Sequence, residues 1–306
     1  MHSSAIGRLP LFLIVVTPAV WSTNYLVARY APQFITPHLL AFLRWLFAFI
    51  IMLPFAYSEL KRLWPQWRQE WPQIFVLGAL GMWICGAFVY IGGETTTAVN
   101  IGLLYTLAPV LVAIISARLL NESLRAGQWF GLVLSVVGVV IVVVKGSWQN
   151  LIGVRLTTGD VWIMVAVVSW ATYSVLLKQR SSALSPFSRI TVITAGGLLV
   201  LLPFTAVEVM NQGLPADWSH ALIICLVAAV LPGLVAYQSY AYLQQQVGAS
   251  RAGLVLYLGP LYTALLAWWL LGEPPQWYHL VGAALILPGM YLAMSAGGAA
   301  ASQTKH

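Results

Sequence analysis

One stretch of this chain occurs twice. Residues 98–141 and 249–292 align without a gap at an offset of 151. Gly102 meets Gly253, Pro109 meets Pro260, Glu122 meets Glu273, Gly131 meets Gly282 and Gly138 meets Gly289. Each copy is an apolar segment with an internal proline, a short turn carrying a glutamate, and a second apolar segment. The front of each half repeats as well, at an offset of 149. There Trp21 and Thr23 meet Trp170 and Thr172, Pro37 meets Pro186, and Leu53-Pro54-Phe55 meets Leu202-Pro203-Phe204. A long-period repeat fixes how many equivalent units a fold must hold. In a membrane protein it points to a carrier built from two halves.

Composition places the chain in the membrane. Of 306 residues, 60% are hydrophobic and 8% charged, against roughly 25% charged in an average soluble domain. About ten apolar runs reach the ~20 residues that cross a bilayer. Their expected limits are 9–29, 37–57, 72–92, 97–119, 126–145, 160–178, 187–207, 218–241, 248–271 and 277–296. The first run lacks a small-residue cleavage site and is read as a span, not a signal peptide. Cys85 and Cys225 both fall inside apolar runs, so no disulfide framework is implied.

Five runs per half is an odd number, so the second half must lie inverted relative to the first. Basic residues support this. Loop 58–71 carries Lys61, Arg62 and Arg68, whereas its counterpart 208–217 carries none. Loop 119–125 has Arg125, and its counterpart 272–276 has no Lys or Arg. The bias reverses in the first loop, where Arg29 stands alone against Lys178, Arg180 and Arg189. The positive-inside rule then puts both termini in the cytoplasm, in a plasma (inner) membrane. The net charge of +7 is spread over short loops, which excludes a nucleic-acid partner as its explanation. The expected fold is an all-α membrane protein of about ten transmembrane helices in two inverted five-helix repeats, 1–149 and 150–306.

The paired prolines Pro109 and Pro260, the turns Asn121-Glu122 and Gly272-Glu273, Gly131 and Gly282, and Arg44 in FLRWLFAF together resemble the EamA branch of the drug/metabolite transporter superfamily. The resemblance covers about residues 9–296. Trp21-Ser22-Thr23 and the many aromatic residues resemble the aromatic amino-acid exporters within that branch. The resemblance implies a secondary carrier with a central cavity and alternating access, not a channel or an enzyme.

The eight acidic residues all fall in loops or at span ends. A carboxylate in mid-membrane usually marks an ion path, so the expected carrier works by facilitated diffusion. No metal-ligand cluster or phosphate-binding loop is visible, and no cofactor is expected. Arg44 is the one charge inside a span. It is read as snorkelling to the outer interface or bonding backbone carbonyls, with binding of a substrate carboxylate as the alternative. Glu122 and Glu273 are read as caps of the helix that follows each. Pro109 and Pro260 are read as hinges.

Polar and aromatic residues cluster inside spans. Trp21, Asn24 and Tyr25 share one helical face, and Trp170 and Tyr173 repeat that placement in the second half. With Tyr90, Tyr105, Tyr237, Gln238 and Tyr257 they are the expected substrate-binding residues, because a buried Tyr or Trp needs a polar partner. Trp45, Trp268, Trp269 and Trp277 are read as lipid-facing or interfacial. The function expected is export of small amphipathic metabolites, amino acids including aromatic ones. The alternatives are a drug or purine exporter and a lipid-processing membrane enzyme. The partners expected are a small-molecule substrate and the lipid bilayer, and nothing in the sequence requires more than a monomer.

Overall fold

The computed structural model describes residues 8–119, 126–147, 157–180, 182–247 and 254–295, and every regular element among them is a helix. A bilayer offers the backbone no hydrogen-bond partners, so an apolar chain must satisfy its N–H and C=O groups within each span. Span 1 is Arg8–Tyr30 and span 2 is Pro37–Arg62. Span 3 joins α-helix Trp71–Gly78, π-helix Ala79–Ile84 and α-helix Cys85–Gly93. Span 4 consists of Ala98–Tyr105 and Ala108–Leu119, and span 5 is Ala126–Val143. Span 6 is Thr158–Gln179 and span 7 Pro186–Gln212. Span 8 joins Trp218–Ala228, π-helix Ala229–Val235 and Ala236–Val247. Spans 9 and 10 are Leu254–Leu271 and Trp277–Ser295.

The start signals are those the sequence carries. Pro37 and Pro186 occupy the first turns of spans 2 and 7, where a missing N–H costs nothing. Side chains of Thr97, Thr157, Ser185 and Asp217 cap spans 4, 6, 7 and 8. The two π-turns were not expected. They begin at Ala79 and Ala229, equivalent places in the two repeats. Pro232 lies inside the second and lacks the N–H that an α-helical ladder would need there.

The repeat-matched prolines behave differently. Pro109 cannot donate to the Tyr105 carbonyl. The chain responds one turn earlier, where Thr106 and Leu107 donate to the carbonyls of Leu103 and Leu104. Pro109 therefore falls in the first turn of a new helix, just after the break at Thr106 and Leu107. Pro260 lies inside the continuous helix of span 9.

The chain forms two compact units, each mixing both sequence halves. The first comprises Met1–Leu26, Thr97–Leu156 and Leu234–His306, and the second Val27–Thr96 and Thr157–Gly233. The sequence repeats 1–149 and 150–306 and these packing units are thus different partitions of one chain.

In the first unit, spans 5 and 10 cross where their equivalent residues meet. A methyl group on Gly138 would collide with the Gly282 carbonyl, and one on Gly289 with the Gly131 carbonyl. Between these contacts the Ser135 hydroxyl lies 3.4 Å from the Ile286 carbonyl, and Ser135 and Ile286 are themselves one repeat apart. The pairing runs antiparallel, as inverted repeats require. In the second unit, spans 2 and 7 are also antiparallel equivalents. Spans 3 and 7 touch through glycine, since a methyl group on Gly78 would overlap the backbone of Gly196 and Gly197.

Candidate functional site

The first unit brings four of the expected residues into ring contact. Span 1 presents Trp21 to span 8, with its ring centroid 5.5 Å from Tyr237 and 5.6 Å from Tyr240. One turn on, the Tyr25 ring lies 5.2 Å from that of Tyr105 on span 4. Offset and edge-to-face pairs of this kind are the arrangements that ring quadrupoles favour. Between Trp21 and Tyr25 in sequence, Ser22 joins span 1 to span 9. Thr263 donates to Ser22 at 3.0 Å, and Ser22 Oγ lies 3.1 Å from the Gly259 carbonyl. Asn24 is buried and Gln238 half-buried on the same elements. Tyr257 belongs to span 9, but its side chain lies outside the described residues, as does that of Pro109.

The second unit holds Trp170, Tyr173 and Tyr90. Trp170 and Tyr173 stack with centroids 5.4 Å apart. The Tyr173 ring fills the space beside Gly81 in the first π-turn, where a methyl group would stand 2.9 Å from it. The Tyr173 hydroxyl is buried with no hydrogen-bond partner among the described residues. Ser169, one residue before Trp170, donates to the Leu80 carbonyl at 2.8 Å. It thus serves a carbonyl inside the π-turn, where the regular ladder is interrupted.

Arg44 does not snorkel. It is 4% exposed, donates to the Tyr90 hydroxyl at 2.8 Å and lies 4.5 Å over the Trp45 ring. Its guanidinium Nε also faces Gly233 in the second π-turn, 4.0 Å from where a Cβ would sit. Trp45 is accordingly 2% exposed and not lipid-facing, because it forms the floor beneath the cation. Trp268, Trp269 and Trp277 are 59%, 79% and 59% exposed, as expected of lipid-facing or interfacial rings.

Glu273 reaches a helix start that was not expected. Its carboxylate accepts from the Ala98 N–H at 3.0 Å, so it caps span 4. Span 9 runs antiparallel to span 4, which brings the turn after span 9 to the start of span 4. Glu122, its repeat equivalent, lies outside the described residues. Beside Glu273, His279 accepts from the Gln276 N–H at Nδ1 and meets Asn100 Oδ1 through Nε2 at 2.9 Å. That pairing fixes the neutral tautomer with its proton on Nε2.

Sequence reasoning left Tyr240, Ser22 and Thr263 out of the site. Tyr240 was legible at helical spacing from Tyr237. Ser22 was legible only as part of a motif, and Thr263 gave no signal. A shallow depression of about 180 Å³ near Pro32, Phe34 and Gln212 includes none of the expected site residues.

Comparison with known proteins decides the class. The EamA-like transporter family matches residues 8–144 and again 157–295. This chain belongs to that family. A curated relative from Archaeoglobus fulgidus, named an uncharacterized transporter, is 26% identical over 92% of this chain and 95% of its own length. YdfC and YyaM of Bacillus subtilis, also named uncharacterized transporters, are 29% and 27% identical. YdfC aligns over 89% of this chain and 86% of its own length, and YyaM over 87% of each. A solved crystal structure shares the fold with a TM-score of 0.61 at 21% identity, covering 95% of this chain and 99% of that one. The EamA member is therefore an integral membrane transport protein of two five-helix repeats.

Proposed function

We propose that this family member exports small amphipathic metabolites, amino acids including aromatic ones, across the plasma membrane by alternating access. The observation that carries the reading is the uncharged aromatic cluster of Trp21, Tyr25, Tyr105, Tyr237 and Tyr240. Its rings offer faces on which a flat apolar side chain stacks. The amides of Asn24 and Gln238, on spans 1 and 8, supply donors and acceptors for the polar end of the same solute. Among the described residues the rings of this cluster carry no charge, and the ammonium and carboxylate of an amino acid would be met by the amides and the tyrosine hydroxyls.

The test is counterflow of labelled L-phenylalanine, L-tryptophan and L-leucine into vesicles that contain the purified protein. Exchange above empty vesicles, fastest for the aromatic pair, supports the reading. Exchange of adenine or of lipophilic drugs with none of amino acids replaces it with the drug or purine alternative. Turnover of a lipid by the purified protein, with no exchange of any solute, replaces it with the enzyme alternative.

A further inference from the structure

The two ends of the span 2–span 7 pair are built from equivalent residues with different chemistry. At one end Glu59 accepts from the Ser185 N–H and from the Ser185 and Ser188 hydroxyls, each at 2.6 Å. At the other end Glu208, its equivalent one repeat later, accepts from the N–H groups of His38 and Leu39 at 2.9 and 3.0 Å. There Thr36 and Leu39 stand at the places of Ser185 and Ser188, and an imidazole joins the carboxylate, since His38 Nδ1 lies 2.9 Å from Glu208 Oε1. Hydroxyls do not titrate near neutrality, whereas imidazole is the side chain that changes charge between about pH 5 and 8. The residue at the matching place beside Glu59 is Phe187, one repeat after His38. Among the described residues, the imidazole is thus present beside Glu208 and not at the matching place beside Glu59.

The His38–Glu208 pair is largely enclosed, with side chains 17% and 9% exposed, so solvent screens it less than a surface pair. The neighbouring elements carry other charged groups. Glu94 stands in the turn after span 3, and its carboxyl is held above the usual range by burial and then by the Glu208 charge. Arg29 at the end of span 1 donates to the Gly93 and Glu94 carbonyls at 3.3 Å. At the start of span 8, Asp217 and His220 pair with each other, and His220 stacks on Phe34. Farther along span 2, Arg44 is engaged with Tyr90. The imidazole also joins a stack of aromatic rings. Phe204 stacks on His38 at 6.0 Å and on Trp83 at 4.0 Å, with interplanar angles of 19° and 18°. Trp83 belongs to the first π-turn, the kind of helix irregularity that often marks a functional hinge.

We propose that His38 and Glu208 form a proton-binding site whose occupancy is transmitted through Phe204 and Trp83 to the π-turn of span 3. A proton on His38 converts its hydrogen bond to the Glu208 carboxylate into an ion pair and the His38–Phe204 stack into a cation–π contact. Both changes tighten this end of the pair and slow the carrier when that face is acid. The rate consequence rests on the carrier reading above, but the proton site does not.

The experiment uses full-length protein and two readouts. In vesicles with oriented protein, wild-type L-phenylalanine exchange falls about two- to fivefold as the face bearing His38 is taken from about pH 8 to 6. His38→Phe, which copies the other end of the device, flattens that profile, and His220→Gln keeps it. The second readout needs no substrate. The expected result is a difference in melting temperature between wild type and His38→Phe that changes with pH over the same interval. A wild-type/His38→Phe difference that stays constant with pH overturns the site. A pH-dependent difference in melting with a flat exchange profile overturns the transmission to the π-turn. Absence of any exchange defeats the carrier reading and leaves the melting test of the site intact.

Discussion

Glu59 and Glu208 each hold the N-terminus of the helix that carries the other. Glu59, near the end of span 2, accepts from the start of span 7, and Glu208, near the end of span 7, accepts from the start of span 2. A helix start presents unsatisfied N–H groups and a partial positive charge, and in a membrane neither finds compensation from lipid. The exchange satisfies both starts and pins the antiparallel register of the pair.

Removing one partner therefore costs more than a surface contact. Glu59→Ala should destabilise the purified protein by about 1–2 kcal/mol, the range for a lost helix cap or a hydrogen bond to a charged group. Adding Ser188→Ala to it should cost little further, because both substitutions remove the same interaction. Thermal melting in detergent of the two single variants and the double variant measures this. Fully additive losses would show that Glu59 does not hold Ser188.

The glycines of spans 5 and 10 make a sharper contrast. Gly138→Val should abolish the monodisperse folded protein, since its side chain would run into the backbone of Gly282 and the side chains of Leu285 and Ile286. Gly127→Ala, on the same helix, meets nothing within 4 Å. It should leave stability unchanged or raise it by up to about 1 kcal/mol through helix propensity. Size-exclusion profiles and melting temperatures separate the two outcomes.

What the sequence disclosed follows from what hydropathy and repetition can carry. Span limits were legible because lipid demands long apolar helices, and the glycine pairs because the repeat places Gly131 and Gly138 opposite Gly282 and Gly289. The burial of Arg44 was not legible, since its partner Tyr90 is 46 residues away and no pattern joins them. The π-turns were hidden because a wide turn leaves composition unchanged, and only Pro232 marked one of them. Glu59 and Glu208 were both in view at matching span ends. Each looked like an interfacial charge until the fold brought it to the opposing helix start. Trp45 was misread for a similar reason: position along a span does not tell which way a ring faces.

Transport should separate the aromatic cluster from the lipid-facing rings. Trp21→Ala removes the ring that contacts both Tyr237 and Tyr240, and Trp170→Ala removes the stack on Tyr173. Either should lower exchange about tenfold or more, as loss of an aromatic contact worth ~1.4 kcal/mol or above would. Trp269→Ala, whose ring is 79% exposed, should stay within about twofold. The assay compares initial counterflow rates at equal protein per vesicle. A Trp21→Ala, Trp170→Ala double variant that exchanges at the wild-type rate would return both rings to packing.

The charged residues at span ends predict opposite responses to pH. The Asp217 carboxyl is held well below the usual range by hydrogen bonds from the Ser219 hydroxyl and the His220 N–H. A depressed carboxylate contributes stability above its unfolded pKa and loses it as pH falls through the folded value. Glu94 has the reverse sign. Burial, then the neighbouring charge of Glu208, raises its pKa. Its folded form favours the proton, so its contribution is complete below the unfolded pKa and is lost as pH rises through the folded one. At neutral pH the ionised carboxylate is thus a liability that an uncharged amide of the same shape removes. Glu94→Gln should melt above wild type at pH 7, and the gap should close as pH falls below about 4, where the wild-type carboxyl is itself neutral. Asp217→Asn should melt below wild type at pH 7, by a margin that also shrinks in acid. Melting temperatures of the three proteins across that range decide the matter. A Glu94→Gln curve that runs parallel to wild type at every pH would show that Glu94 carries no such penalty.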